Sequence, residues 1–330
     1  MKEHAWWWPV AAVATEGHTL PNPQAVTLLG QPWVLWQTDL GEPMLFADKC
    51  PHRGARLSLG RVRGDTLECP YHGWRFGAQG RCHQIPSQPA FEPPASVAVQ
   101  SHPLRAAHGL WWTHLGSEPA WPLPDLSHLP ARRLVYGPFD VATSAPRAVE
   151  NFLDTSHFAF VHEGWLGDAQ HPEVPAYEVS ATPDGRPVIE HYRAWQPRAA
   201  ATAEQGAWVD YRYEVLSPYA ALLTKRSDAE GPESSKSPEG PEDSYVIWAC
   251  PQTPESSRLW FAQYTTDTQS SDDALRDFQV EIFSQDQPVL ESQQPKRLPL
   301  SGGEAMVAAD RLSAAYRRYL KACGITFAVC

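Results

Sequence analysis

Two short segments each place one cysteine and one histidine at a spacing that suits a shared metal centre. The first reads CPHRG over residues 50–54, and the second reads CPYHGW over residues 69–74. Their candidate ligands are Cys50, His52, Cys69 and His72. Sixteen residues separate His52 from Cys69, so the fold has to bring two loops together around one centre. A glycine lies close after each histidine, and glycine lets a backbone turn tightly beside an inorganic group.

Three interpretations of this pattern are open from the residues alone. Two thiolates can hold one iron of a two-iron cluster while two neutral imidazoles hold the other. A structural zinc ion also accepts two cysteines and two histidines. Ordinary core cysteines and surface histidines are the third interpretation. We favour the cluster because each segment pairs one Cys with one His between predicted strands, whereas zinc fingers more often pair like with like. Four ligands complete the cluster, so the nearby Cys82 and His83 are left outside it.

The two segments resemble the Rieske signature in both their spacing and their neighbours. Residues 76–87 also resemble the stretch that follows the second Rieske loop. The resemblance implies a Rieske-type 2Fe–2S cluster held by Cys50, His52, Cys69 and His72.

The length of 330 residues leaves room for two domains. Short apolar runs punctuated by Gly, Pro and Asp predict antiparallel strands between residues 5 and 115. We expect a small antiparallel β domain over residues 1–125, with a proline-rich linker at 117–130. The remainder, 126–330, is the expected catalytic domain, in which the polar stretch 227–244 predicts a flexible loop between strands.

A second group of candidate ligands lies in a predicted helix over residues 147–163. Asp154 and His157 are three residues apart, which places them on one helix face. His157 and His162 are five residues apart, so a local widening of the helix would be needed to align them. Two histidines bind iron as a facial triad when a carboxylate joins them. A second predicted helix at 271–295 supplies the candidate carboxylates Asp277, Glu281, Asp286 and Glu291.

Together with the Rieske motif, these residues resemble the Rieske non-heme iron oxygenases, specifically the α-subunits that form homotrimers. The resemblance covers most of the chain, and residues 162–168 and 293–300 look most like the oxygenases of saxitoxin biosynthesis. It implies an α+β fold, in which a curved antiparallel sheet wraps around a long helix in a helix-grip catalytic domain. The mononuclear Fe(II) ligands would be His157, His162 and Asp286, with Glu281 as the alternative carboxylate.

The same resemblance gives Asp154 a bridging role between the two metal centres. It would accept a hydrogen bond from His72 of one subunit and from His157 of the next, in a ring of three subunits. A carboxylate that orients a metal-bound imidazole is a common arrangement.

The function implied is that of a terminal oxygenase, which uses O2 and electrons from a separate NAD(P)H-dependent reductase, with or without a ferredoxin. We expect monohydroxylation of a C–H bond in a small organic substrate. Oxidative N- or O-demethylation and aromatic cis-dihydroxylation are alternatives. A hypothesis of another class is a Rieske electron carrier or redox sensor whose mononuclear site is not used.

Net charge and the number of cysteines limit the partners and the cellular compartment that we expect for the protein. A net charge of −11 argues against nucleic acid and anionic membrane partners, whose phosphates require a basic face. Six sparse cysteines, two of them in metal-ligand spacing, favour a reducing compartment. The apolar N-terminal stretch is a poor signal peptide and the sequence has no transmembrane run, so we expect a cytoplasmic protein.

Overall fold

A computed structural model describes residues 2–13, 23–198, 206–227 and 242–330. The chain divides into two compact units, Met1–Leu123 and Pro124–Cys330. The domain boundary expected at residues 125 and 126 stays a prediction. Within the described residues, no helix combines the length and the apolar character needed to cross a membrane.

Among its described residues, the first unit has eleven short strands in three antiparallel sheets, as the spacing of apolar runs predicts. Two turns of 3-10 helix accompany them, at Lys2–Ala5 and Leu57–Leu59. The sheets have the strand orders β1-β11-β10, β2-β3-β4-β9 and β5-β6-β7-β8. The strands are β1 (Trp8–Ala12), β2 (Gln24–Leu28), β3 (Gln31–Gln37), β4 (Pro43–Ala47), β5 (Arg61–Arg63), β6 (Thr66–Glu68), β7 (Arg75–Phe76), β8 (Cys82–Gln84), β9 (Ser101–His102), β10 (Leu104–Ala107) and β11 (Leu110–Thr113).

The second unit is built on one seven-stranded antiparallel sheet with the order β12-β18-β17-β16-β15-β14-β13. Its strands are β12 (Arg132–Val141), β13 (Ser180–Ala181), β14 (Pro187–Gln196), β15 (Ala207–Ser217), β16 (Ala220–Ser227), β17 (Glu242–Thr253) and β18 (Ser256–Thr265). Its helices are α1 (Ala145–Leu153), α2 (Phe158–Val161), α3 (Asp272–Ser292) and α4 (Arg311–Cys323), with a 3-10 turn at Ala308–Asp310. Helix α1 packs on β16, β17 and β18, and α3 packs on β12. The α+β class predicted from the sequence is confirmed.

The single helix predicted over 147–163 is wrong. Helix α1 ends at Leu153, because Asp154 has an extended backbone with φ −76° and ψ 133°. The Asp154 carboxylate accepts hydrogen bonds from the backbone N–H of Ser156 at 2.8 Å and from its hydroxyl at 2.6 Å. Such local side-chain bonds compete with the helix for backbone donors. His157 and His162 therefore flank the single turn of α2, and no widened helix is needed.

The limits predicted for the flexible loop at 227–244 are also wrong at both ends. Ser227 is the last residue of β16, and Glu242 is the first residue of β17. Cross-strand contacts extend the pairing, because Arg226 forms an ion pair with Glu242 and the hydroxyls of Thr224 and Ser244 lie 2.9 Å apart. The rest of the predicted loop lies outside the described residues.

A buried ion network fixes the orientation of α1, which leads into Asp154. Arg317 on α4 donates to both carboxylate oxygens of Glu150 on α1, at 2.6 and 2.7 Å. The same guanidinium donates to Glu304 at 2.6 Å, and Arg147 on α1 also donates to Glu304 at 2.6 Å. These ion pairs connect α1, and the Asp154 turn that follows it, to α4, the last helix of the chain.

Replacing Arg317 with methionine removes the cation and leaves two carboxylates without their shared partner. Breaking such a buried pair costs about 3–5 kcal/mol, so we expect the second unit of the Arg317→Met variant to unfold at clearly lower urea concentration. The matched control is Arg258→Met, which removes the more exposed pair with Asp140 and should cost about 1 kcal/mol or less. Equal losses in the two variants would contradict the role given to the network.

Candidate metal centres

The two cysteine-histidine loops of the first unit have the same backbone turn. The N–H of Gly54 donates to the carbonyl of Cys50 at 2.9 Å, and the N–H of Gly73 donates to that of Cys69 at 3.1 Å. Both glycines are left-handed, with φ of +72° and +69°. Residues with a Cβ rarely adopt this conformation, so the glycines allow each loop to fold back on its cysteine.

The four side chains divide into two buried sulfurs and two exposed rings. Cys50 and Cys69 are 2% exposed and belong to the hydrophobic core of this unit. His52 and His72 are exposed, with their ring centroids 4.6 Å apart, and the indole of Trp74 stacks on His52 at 4.4 Å. The structure thus brings all four predicted residues to one place, with the thiols inward and the imidazoles at the surface.

Burial of the Cys50 thiol raises its pKa to about 11, and the neighbouring Cys69 thiol adds to this effect. A thiol in these surroundings resists ionisation unless a cation compensates the thiolate charge. Iron binding supplies that compensation and displaces the proton. Two such sulfurs beside two imidazoles fit the mixed ligand set of a Rieske cluster.

The second unit brings together His157, His162 and Asp286. Their ligand atoms all lie within 4.8 Å of one another. The Nε2 atoms of the two histidines face different oxygens of the Asp286 carboxylate, at 3.5 Å for His157 and 3.4 Å for His162. Two imidazoles and one carboxylate are the donor set of a facial triad, which leaves further positions on the metal open.

Further side chains contact the atoms of these three groups that face away from the candidate metal position. The Nδ1 atom of His162 lies 2.8 Å from Oε1 of Gln285, and the Nδ1 atom of His157 lies 3.4 Å from Oδ2 of Asp154. The amide of Asn151 donates to Asp286 at 3.2 Å. Partners at Nδ1 fix the orientation of an imidazole and leave Nε2 for a metal.

The electrostatics of this site favour a cation. Burial alone would lower the pKa of His157, but the carboxylates of Asp154 and Asp286 outweigh burial and raise it. Burial would raise the pKa of Asp154, but His157 and Ser156 outweigh burial and lower it. The carboxylates of Asp154 and Asp286 therefore favour a positive charge at His157. A divalent metal ion at this site would be stabilised by the same two carboxylates.

The structure does not bring the alternative carboxylate, Glu281, into this group. Glu281 is exposed, and it accepts a hydrogen bond from Nε2 of Gln285 at 3.2 Å. It therefore acts on the site through Gln285, which holds His162. Sequence analysis missed Gln285 and Asn151, because neither residue type carries a metal-binding signal.

A cavity of ≈ 820 Å³, counted with its mouth, adjoins the three groups. Most of its wall is aromatic or aliphatic, with rings from Phe152, Phe158, Phe261, Phe278 and Phe283.

Comparisons with known proteins identify the family of this chain. Residues 7–103 match the family model of the Rieske [2Fe-2S] domain, and residues 141–324 match that of the vanillate O-demethylase oxygenase C-terminal domain. The chain belongs to the Rieske non-heme iron oxygenases. As a Rieske oxygenase it is an oxidoreductase that uses O2, and its cofactors are a Rieske 2Fe–2S cluster and a mononuclear non-heme iron. The finer likeness to the saxitoxin oxygenases stays a prediction.

The similarity to individual relatives covers most of this Rieske oxygenase chain. The methylxanthine N1-demethylase NdmA of Pseudomonas putida is 31% identical over 328 residues, covering 96% of this chain and 87% of the relative. An iron-sulfur subunit of the toluene-4-sulfonate monooxygenase system of Comamonas testosteroni, TsaM1, is 27% identical and covers 81% of each chain. The solved structure of NdmA with caffeine superposes with a TM-score of 0.77 at 28% identity, over 97% of this chain and 90% of that one.

Metal analysis tests the assignment of the triad directly. After anaerobic reconstitution with ferrous iron, we expect about three irons per chain, two in the cluster and one mononuclear. The His157→Ala variant should hold about one iron fewer and keep the visible spectrum of the cluster, because the two centres use separate ligands. The matched control is His171→Ala, which changes an exposed histidine and should keep all the iron. A His157→Ala variant with full iron content would contradict the assignment.

Proposed function

We propose that His157, His162 and Asp286 hold the mononuclear iron and that Cys50, His52, Cys69 and His72 hold the cluster. The observation that carries this proposal is the convergence of two Nε2 atoms and one carboxylate beside an aromatic cavity. The partners at both Nδ1 atoms support it, since they aim the imidazoles at a common point. A pure electron carrier would need neither the triad nor the cavity.

Held by the triad, a mononuclear iron would supply the activation of O2 for attack on a C–H bond, with electrons that reach it through the cluster. The residues of the chain hold the reactants in position. The three candidate ligands come from α3 and from either side of α2, and the cavity lies next to them. Aromatic side chains of the wall hold an apolar substrate close to the reacting centre and exclude water from it.

The reaction that we propose is monohydroxylation. One oxygen atom of O2 enters the C–H bond and the other leaves as water, which consumes two electrons and two protons. If the carbon is a methyl group on nitrogen or oxygen, the hydroxylated product releases formaldehyde, and the net result is demethylation. The likeness to a methylxanthine demethylase and to a sulfonate monooxygenase subunit supports this pair of outcomes over cis-dihydroxylation.

The electrons come, in this proposal, from a separate NAD(P)H-dependent reductase, directly or through a ferredoxin, in the cytoplasm. No disulfide joins the six cysteines, all of which lie among the described residues, and this is compatible with a reducing compartment. The proposed division of labour is a Rieske domain over 1–125 and a catalytic domain over 126–330.

We assign Asp154 the bridging position between centres of neighbouring subunits in a homotrimer. Ser156 holds Oδ1 of its carboxylate, while Oδ2 faces His157. His72 is exposed, so its ring is available to a carboxylate of another subunit. The arrangement would let an electron pass from the cluster of one subunit to the iron of the next.

Oxygen uptake tests the proposed activity. With a surrogate reductase and NADH, a screen of small aromatic compounds should find one whose addition raises oxygen uptake. The product should be heavier by one oxygen atom, or should have lost a methyl group as formaldehyde. A fully iron-loaded enzyme that passes electrons on to other acceptors but oxidises nothing would favour the electron-carrier alternative.

The Asp154→Asn variant tests the bridge. It should keep both metals, but oxidation of the reduced cluster in a single turnover should slow by about tenfold or more, which is the scale expected for loss of a carboxylate behind a metal-bound imidazole. Stopped-flow spectroscopy of the cluster measures this rate. The control is Asp168→Asn, whose carboxylate pairs with the exposed His171 and should have no effect. An unchanged rate in Asp154→Asn would rule out the bridge.

A further inference from the structure

A basic side chain lies in the largely apolar wall of this cavity. Lys225 lines this cavity together with the triad, although its side chain is 7% exposed. It is the one lysine or arginine among the described lining residues. Removing a protonated amine from water is costly, so a charged amine beside a cavity is stabilised by neighbouring groups or by a ligand of opposite charge.

The sheet places Lys225 between two polar residues of neighbouring strands. It lies directly opposite Tyr211 on β15 and directly opposite Asp243 on β17. Its Nζ atom lies 5.5 Å from the centre of the Tyr245 ring. Burial lowers the pKa of Lys225, and the Asp243 carboxylate acts in the opposite direction and favours the protonated amine. The aromatic face also favours a cation.

The neighbouring Tyr211 adds a second donor to the same wall. It lines the cavity, it is 2% exposed, and its hydroxyl has no hydrogen-bond partner among the described residues. A buried hydroxyl without a partner costs free energy that a ligand atom can recover. An ammonium group and a phenol on adjacent strands together suit a ligand oxygen that carries negative charge.

On the basis of the oxygenase function proposed above, we infer that the substrate is an aromatic oxyanion, a carboxylate or a sulfonate. Its charged group docks on Lys225 and Tyr211, and its ring packs among the phenylalanines that surround the triad. Docking at this wall holds the substrate by the end that does not react and leaves the far end of the ring for oxidation. Lys225 and Tyr211 are thus specificity-determining residues, and a neutral heterocycle such as caffeine should bind less well.

The test compares matched pairs of anionic and neutral probes. Isothermal titration calorimetry on the anaerobic, iron-loaded enzyme should show that 4-methoxybenzoate binds at least about tenfold more tightly than 4-methoxybenzamide, the scale of a hydrogen bond to a charged group. Benzenesulfonate and benzenesulfonamide form a second pair, and caffeine serves as a neutral heterocycle. The result that overturns the inference is a wild-type enzyme in which no anion binds more tightly than its neutral partner.

Three variants and one control variant locate the residues responsible for the preference. Lys225→Met keeps the length of the side chain but should abolish the preference for the anion, and Lys225→Arg should keep it. Tyr211→Phe should reduce it several-fold. Leu223→Met alters the same wall two residues away on β16 and should leave the ratio of affinities unchanged, although both affinities shift. Should Lys225→Met fail to fold, the wild-type ratio and the Tyr211→Phe variant still decide the outcome.

Two further arms separate this inference from its rivals. If the preference disappears when the mononuclear iron is removed, the anion binds the metal, and the role of Lys225 is wrong. If the preference persists but no probe of either charge is oxidised in the presence of a reductase, the oxygenase proposal is at fault and the binding site stands.

Discussion

The turn made by Asp154 and Ser156 is the local interaction on which the catalytic unit depends. The Asp154 carboxylate accepts hydrogen bonds from the backbone N–H and the hydroxyl of Ser156, and α1 ends at the preceding residue, Leu153. The chain changes direction at the end of α1, so that His157 precedes α2 and His162 follows it. The same carboxylate faces His157 through its other oxygen. One side chain therefore both shapes the backbone and orients a candidate ligand.

The remaining supports act on this turn from a distance. Arg317 holds Glu150, so the last helix of the chain restrains α1 and the turn that follows it. Helix α3 supplies Asp286 on the cavity side and, one residue earlier, Gln285 behind His162. Because both residues belong to one helix, a shift of α3 would move the carboxylate and the orientation of His162 together.

Much of this arrangement follows from short-range sequence patterns. The two cysteine-histidine segments and the strands of the first unit are local features, and the structure contains both. The break at Asp154 was not predicted, because an aspartate with a serine two residues later is also compatible with a helix. Nor could the sequence place Lys225 beside Tyr211, since their contact depends on the register of β15 and β16. Cross-strand register arises from pairing along the whole sheet, which no single segment encodes.

In the proposed function, the two centres together deliver electrons to O2 at the triad, beside the bound substrate. The exposed imidazoles of the first unit and the buried triad of the second are suited to the two ends of that path. The most direct measurement is crystallographic anomalous scattering from the oxidised enzyme at the iron edge. We predict two separate peaks per chain, one beside Cys50, His52, Cys69 and His72, and one between His157, His162 and Asp286. A full-strength cluster peak with no second peak at the triad, from enzyme containing three irons per chain, would contradict it.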